Sequence, residues 1–128
     1  MSDWKYDIWR EGKYLDLWHV NHTLAGSLLA GITFFFNIKL LLGFVVSVLL
    51  MLAWEFYEII VDIEETIANQ ILDVLTGILG FFGMFYLLQI INHSSGLQVF
   101  LVVLVVWLSL ELWGFVAYKK KKAKIRRR

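Results

Sequence analysis

Residues 40–60 read LLLGFVVSVLLMLAWEFYEII and residues 67–91 read IANQILDVLTGILGFFGMFYLLQII, with only VDIEET between them. Each run is near the ~20 residues that a helix needs to cross the hydrocarbon of a bilayer. Six intervening residues suffice only to turn back, so the two helices run antiparallel. Within lipid, an open-ended chain satisfies its backbone only as a helical bundle.

Working outward, residues 19–36 and 97–118 form two further apolar runs, joined to the first pair by links at 37–39 and 92–96. The expected fold is therefore an all-α membrane protein: four transmembrane helices in one antiparallel bundle. Residues 3–18 mix Trp4, Tyr6, Ile8, Trp9, Tyr14 and Trp18 with charges, a composition suited to an N-terminal interfacial segment at headgroup level. At 128 residues, 59% of them hydrophobic, the chain is too short and too apolar for a soluble domain plus an anchor. It has no cysteine, which excludes disulfides and thiolate metal sites. Any metal must be held by imidazole and carboxylate.

The net charge of +1 hides an asymmetry, because eight of the twelve basic residues lie between Lys119 and Arg128. That run reads as a basic cytoplasmic tail under the positive-inside rule, which places both termini of a multi-pass protein of the cell inner membrane on the cytoplasmic side. The amino-terminal residues lack the order of a cleavable signal peptide. Membrane lipids are the expected partners, with anionic lipid drawn to the tail. Nucleic acid is not expected, since the tail has no interleaved aromatics and no fold to hold a strand. No nucleotide-binding or hydrolase fingerprint occurs.

This topology gathers the polar residues. Asp16, His19 and His22 open the first span, Glu55 and Glu58 close the second, Asn69 and Asp73 open the third, and Glu111 lies in the fourth about two turns before the tail. All fall toward the cytoplasmic end. A carboxylate at membrane depth costs roughly 2.5 to 3.5 kcal/mol on insertion scales, so it calls for a partner or a task. Asp16, His19, Glu55, Glu58, Asn69, Asp73 and Glu111 are the candidate ligand pocket, and His19, His22, Glu55 and Glu58 the candidate ligands of a divalent cation.

Plainer readings stand beside these. Boundary histidines can be solvated, Asp16 can serve the helix start, and Asp62, Glu64 and Glu65 can be a wet link. Gly26 continues the first-span polar stripe and Gly77 and Gly80 continue the third, where small residues let membrane helices approach closely. That flank is also a candidate contact for a homo-oligomer.

The order of Asp16 and His19, then WEFYE, then N-xxx-D-xxx-G-xx-G resembles the VanZ-like group of small integral membrane proteins over residues 16–82. That group carries D-xxx-N in the third span, where this chain has Asn69 before Asp73, and the Gln and Arg that commonly follow its glutamate have no counterparts here. The resemblance implies an envelope role and site status for Asp16, His19, Glu55 or Glu58, Asn69, Asp73, Gly77 and Gly80. Three functions compete. One is a cytoplasmic-side polar pocket binding a cation or a polar lipid headgroup. Another is a metal-dependent enzyme acting on lipid-linked substrates, with a glutamate as general base. The third is a holin-like or assembly-partner protein. Whether the chain is an enzyme is open at this level.

Overall fold

In a computed structural model that describes residues 8, 9, 12, 14–63 and 65–126, the chain forms α1 (Trp18–Phe35), α2 (Leu40–Ile60), α3 (Ile67–Ile90) and α4 (His93–Arg126). Most of the proposed interfacial segment lies outside these residues. Trp9 is described and is buried, its ring 4.7 Å from that of Trp18 and 5.6 Å from that of Trp113. It ties the entering chain to α1 and α4.

The links are short because each carries its own stop or start chemistry. α1 ends with Asn37 at φ 57, and Ile38 N–H and Asn37 N–H donate back to the Thr33 and Phe34 carbonyls at 2.9 and 3.2 Å. α2 ends in the same way, with Asp62 at φ 58 and bonds from Ile63 and Asp62 to the Glu58 and Ile59 carbonyls. Both are Schellman endings, with Asn and Asp in the left-handed position that glycine usually fills. At the starts, the Thr66 hydroxyl accepts Asn69 N–H at 3.1 Å and the Asn92 side chain accepts Ser95 N–H at 2.8 Å, the usual N-cap arrangement. α4 thus begins at His93 rather than near residue 97. It also continues through the lysines to Arg126, a rod of roughly 50 Å at 1.5 Å per residue.

The helices alternate in direction. Asn21 meets Glu111 and Trp18 meets Gly114, so α1 and α4 are antiparallel. α1 and α3 run parallel and make the closest approach in the bundle. A Cβ at Gly26 would collide with the Gly77 carbonyl, and one at Gly80 with the Thr23 carbonyl, while the Ser27 hydroxyl donates to the Gly80 carbonyl at 3.1 Å. Close backbone packing through small residues supplies association where lipid removes the hydrophobic drive. Gly83 takes no part, having open space beside it.

α1 touches all three other helices, whereas α2 and α4 do not touch each other. The architecture is a four-helix bundle in which α2, α3 and α4 are long and apolar enough to cross a membrane, with the shorter α1 at its centre. Enclosure lets α1 carry His19, Asn21, His22 and Thr33 as buried residues. The outer helices do the reverse: Leu41, Ile90 and Val105 are 74%, 81% and 62% exposed, the pattern of a multi-pass membrane protein whose surface faces lipid.

Candidate metal centre

Where α1 begins, three helices bring ionisable side chains to one depth. The Asp73 carboxylate is fully buried, and neither of its oxygens has a hydrogen-bond partner. Its Oδ1 lies 3.6 Å from His19 Nδ1 and 3.8 Å from His22 Nε2. Both separations are too long for hydrogen bonds. His22 Nε2 is in turn 3.9 Å from Glu55 Oε1, and both Glu55 oxygens are buried without a partner. Glu58 Oε1 accepts the indole N–H of Trp54 at 2.8 Å, while its Oε2 is buried without one.

These contacts resolve into three overlapping groups whose ligand atoms lie within 4.8 Å of one another: Asp16, His19 and Asp73; His22, Glu55 and Asp73; and Glu55, Glu58 and Glu65. Asp73 and Glu55 each belong to two groups. The four ligands expected from sequence, His19, His22, Glu55 and Glu58, therefore do not form one set of their own. Asp73 from α3 stands between the two histidines, and Glu58 sides with Glu65.

Asp16 differs from the other acids, because its oxygens are occupied. Oδ1 accepts Trp18 N–H at 2.9 Å and faces His19 Nδ1 at 3.1 Å, and Oδ2 accepts Gly12 N–H at 2.9 Å and the Asn69 amide at 3.0 Å. Burial alone would raise its pKa, but the Gly12, Asn69 and His19 contacts outweigh this and hold the carboxyl below its ordinary value of 3.8. His19 Nδ1 also accepts the Asp16 backbone N–H at 3.1 Å, while its Nε2 is buried with no partner. A carboxylate behind an imidazole is the arrangement that fixes tautomer and ring orientation in metal sites. Asp16 thus contacts the His19 ring through both its backbone N–H and its carboxylate, and Asn69 holds that carboxylate.

Helix packing holds the donors in place. Gly77 admits the Met51 side chain and the His22 carbonyl beside it, which sets α1, α2 and α3 at the spacing the groups require. The Thr23 hydroxyl donates to the His19 carbonyl at 2.7 Å.

Glu111 belongs to none of the three groups. It accepts the Asn21 amide at 3.2 Å on a different side of α1. Asn21, 2% exposed, is a site-region residue that sequence spacing passes over, since it falls between the two histidines and off their stripe. Glu65, which reads from sequence as part of a wet link, is the other. Asp62 itself is exposed at the turn.

The donor set suits a divalent metal. Ligand atoms around a tetrahedral zinc at 2.0 to 2.2 Å stand roughly 3.3 to 3.6 Å apart, so the 3.8 and 3.9 Å separations about His22 need close by only a few tenths of an ångström. Imidazole with carboxylate and no thiolate favours zinc, iron or manganese over copper(I) or iron–sulfur clusters. No family model matches this chain, and comparisons with curated proteins and with solved structures find no match either.

Proposed function

We propose that this membrane protein binds a divalent transition metal through His22, Glu55 and Asp73, with His19 adjoining and Asp16 and Asn69 orienting it, and that it serves the cell envelope as the VanZ-like resemblance suggests. The observation that carries this reading is Asp73: fully buried, with neither oxygen bonded, and faced by two imidazoles and a second bare carboxylate. An uncompensated buried charge costs several kcal/mol, and two carboxylates this close repel. A cation among them removes both penalties at once.

The basic end of α4 lies at the end of the bundle where Glu111 meets Asn21. By the positive-inside rule that end is cytoplasmic, so the proposed centre opens toward the inner leaflet and both termini are cytoplasmic. A holin-like role has no use for such a centre. Catalysis on lipid-linked substrates gains support from one feature: His22 lines both the centre and a groove between α2 and α4.

Metal analysis of purified protein, followed by Zn²⁺ titration of the stripped protein, tests the reading. One tightly held equivalent per chain is expected, with affinity lowered at least ~100-fold by Asp73→Asn or His22→Ala. His93→Ala, at the far end of the bundle beside Phe35, should change nothing. Absence of stoichiometric metal, or an unaltered affinity in Asp73→Asn, would overturn it.

A further inference from the structure

Because α2 and α4 never meet, α1 forms the floor of a groove of about 510 Å³ between them, to which α3 contributes no side chain. Its lining runs from Trp18 to Ile32 on α1, from Leu50 to Trp54 on α2 and from Glu111 to Phe100 on α4. At 1.5 Å per residue the α4 side is roughly 16 Å long and the α1 side roughly 21 Å, between half and two thirds of the ~30 Å hydrocarbon thickness and so about the depth of one leaflet. Its volume falls in the range of small-ligand sites. The deep end is aliphatic and aromatic, with Leu28, Ile32 and Phe100.

The shallow end is polar, and two of its atoms lack partners. Asn21 gives its amide N–H to Glu111, which leaves Asn21 Oδ1 as the free atom, buried and unbonded. The Trp107 indole N–H is likewise buried and unbonded. Both residues line the groove beside Glu111. A buried acceptor and a buried donor each left bare incur a desolvation penalty unless a ligand meets them. A hydroxyl carries both functions in one group, an acceptor for an indole N–H and a donor for an amide oxygen. A fully ionised phosphate or carboxylate head offers acceptors only and has nothing to donate to Asn21 Oδ1.

We infer that this groove holds one hydrocarbon chain of a membrane lipid alcohol, its uncharged hydroxyl seated among Asn21, Trp107 and Glu111. The inference does not depend on the metal, although His22 borders both sites. It does supply a substrate or product class, lipids with a free hydroxyl, should the centre prove catalytic.

Full-length protein in nanodiscs is exposed to a diazirine-tagged long-chain alcohol and, separately, to the same chain ending in a phosphate monoester. Crosslinked peptides are then mapped by mass spectrometry. The alcohol should label the stretch of α4 between Phe100 and Glu111 preferentially. Ala25→Trp, which fills the groove, should suppress that label. Trp107→Phe, a milder change that removes one donor, should reduce the preference for alcohol over phosphate about threefold to tenfold. Asp73→Asn should label like the wild type even where metal is lost, which separates failure here from failure of the metal reading. Equal or stronger labelling by the phosphate overturns the hydroxyl assignment. Undiminished labelling in Ala25→Trp, or an unchanged preference in Trp107→Phe, overturns the groove as the binding site.

Discussion

Where α1 ends, Ala30, Phe81, Met84 and Leu88 are at most 5% exposed and lie among Phe34, Phe35, Phe44, Phe82, Phe85 and Phe100. Where α1 begins, the fully enclosed side chains are Asn21, Asn69 and Asp73, and several of their polar atoms touch no donor or acceptor. The first region satisfies everything it buries. The second does not, and yet its helices approach as closely as glycine permits. Cohesion therefore resides in the aromatic half and in the glycine contact between α1 and α3, and the cost of unpartnered buried polar atoms is concentrated where a ligand can relieve it.

Phe81 and Asp73, two buried residues on one helix, separate these roles most sharply. Phe81→Ala removes the ring at the middle of the aromatic cluster and should destabilise the bundle by about 3–5 kcal/mol, measured by denaturant or thermal unfolding in detergent, while leaving metal stoichiometry intact in the folded fraction. Asp73→Leu should do the opposite. It abolishes metal binding, but replacing a buried carboxyl group that has no hydrogen-bond partner by an apolar group should raise the stability of the metal-free protein by about 1–3 kcal/mol. A stability loss in the metal-free Asp73→Leu protein comparable to that of Phe81→Ala would erase the contrast between the two regions.

Much of this division was legible in the residues themselves. While the turn chemistry at Asp62 and the cap at Thr66 came from the structure, the span 40–60 and the start of α3 follow from apolar run length. The start of α4 did not, since Asn92 caps the helix from a position that reads equally well as link. For the site, depth was readable because charged residues interrupt apolar runs at one end. Partnership was not. Which side of α1 faces which neighbour depends on helix rotation, set by Gly26 against Gly77 and Thr23 against Gly80. That rotation turns Asn21 to Glu111 while His19 and His22 turn to Asp73. Asp16 reads from sequence as a pocket residue, and the four contacts to its oxygens could not be read there.

Smaller effects sharpen the picture. Asn69→Ala removes the amide that steadies Asp16 without touching any proposed ligand, so metal affinity should fall by about 10–100-fold, the usual range for outer partners, with the helical circular dichroism unchanged. Metal affinity equal to wild type would show that Asp16 needs no such support. The smallest effect concerns pH. The folded-state pKa of Asp16 lies below 3.8, so its contribution to stability is fully present above that value and is lost as pH falls through the depressed folded value. The stability difference between wild type and Asp16→Asn should accordingly stay flat from neutral pH to about pH 5 and shrink only in stronger acid. A difference that disappears between about pH 7 and pH 5 would contradict a depressed Asp16 value.

Anomalous X-ray scattering from crystals grown with Zn²⁺ tests the central claim most directly, because it locates the ion rather than counting it. The account predicts one strong peak among His22 Nε2, Glu55 Oε1 and Asp73 Oδ1, at about 2.0–2.2 Å from each. A map with no peak there, or with zinc only at His93 and other exposed side chains, would contradict it.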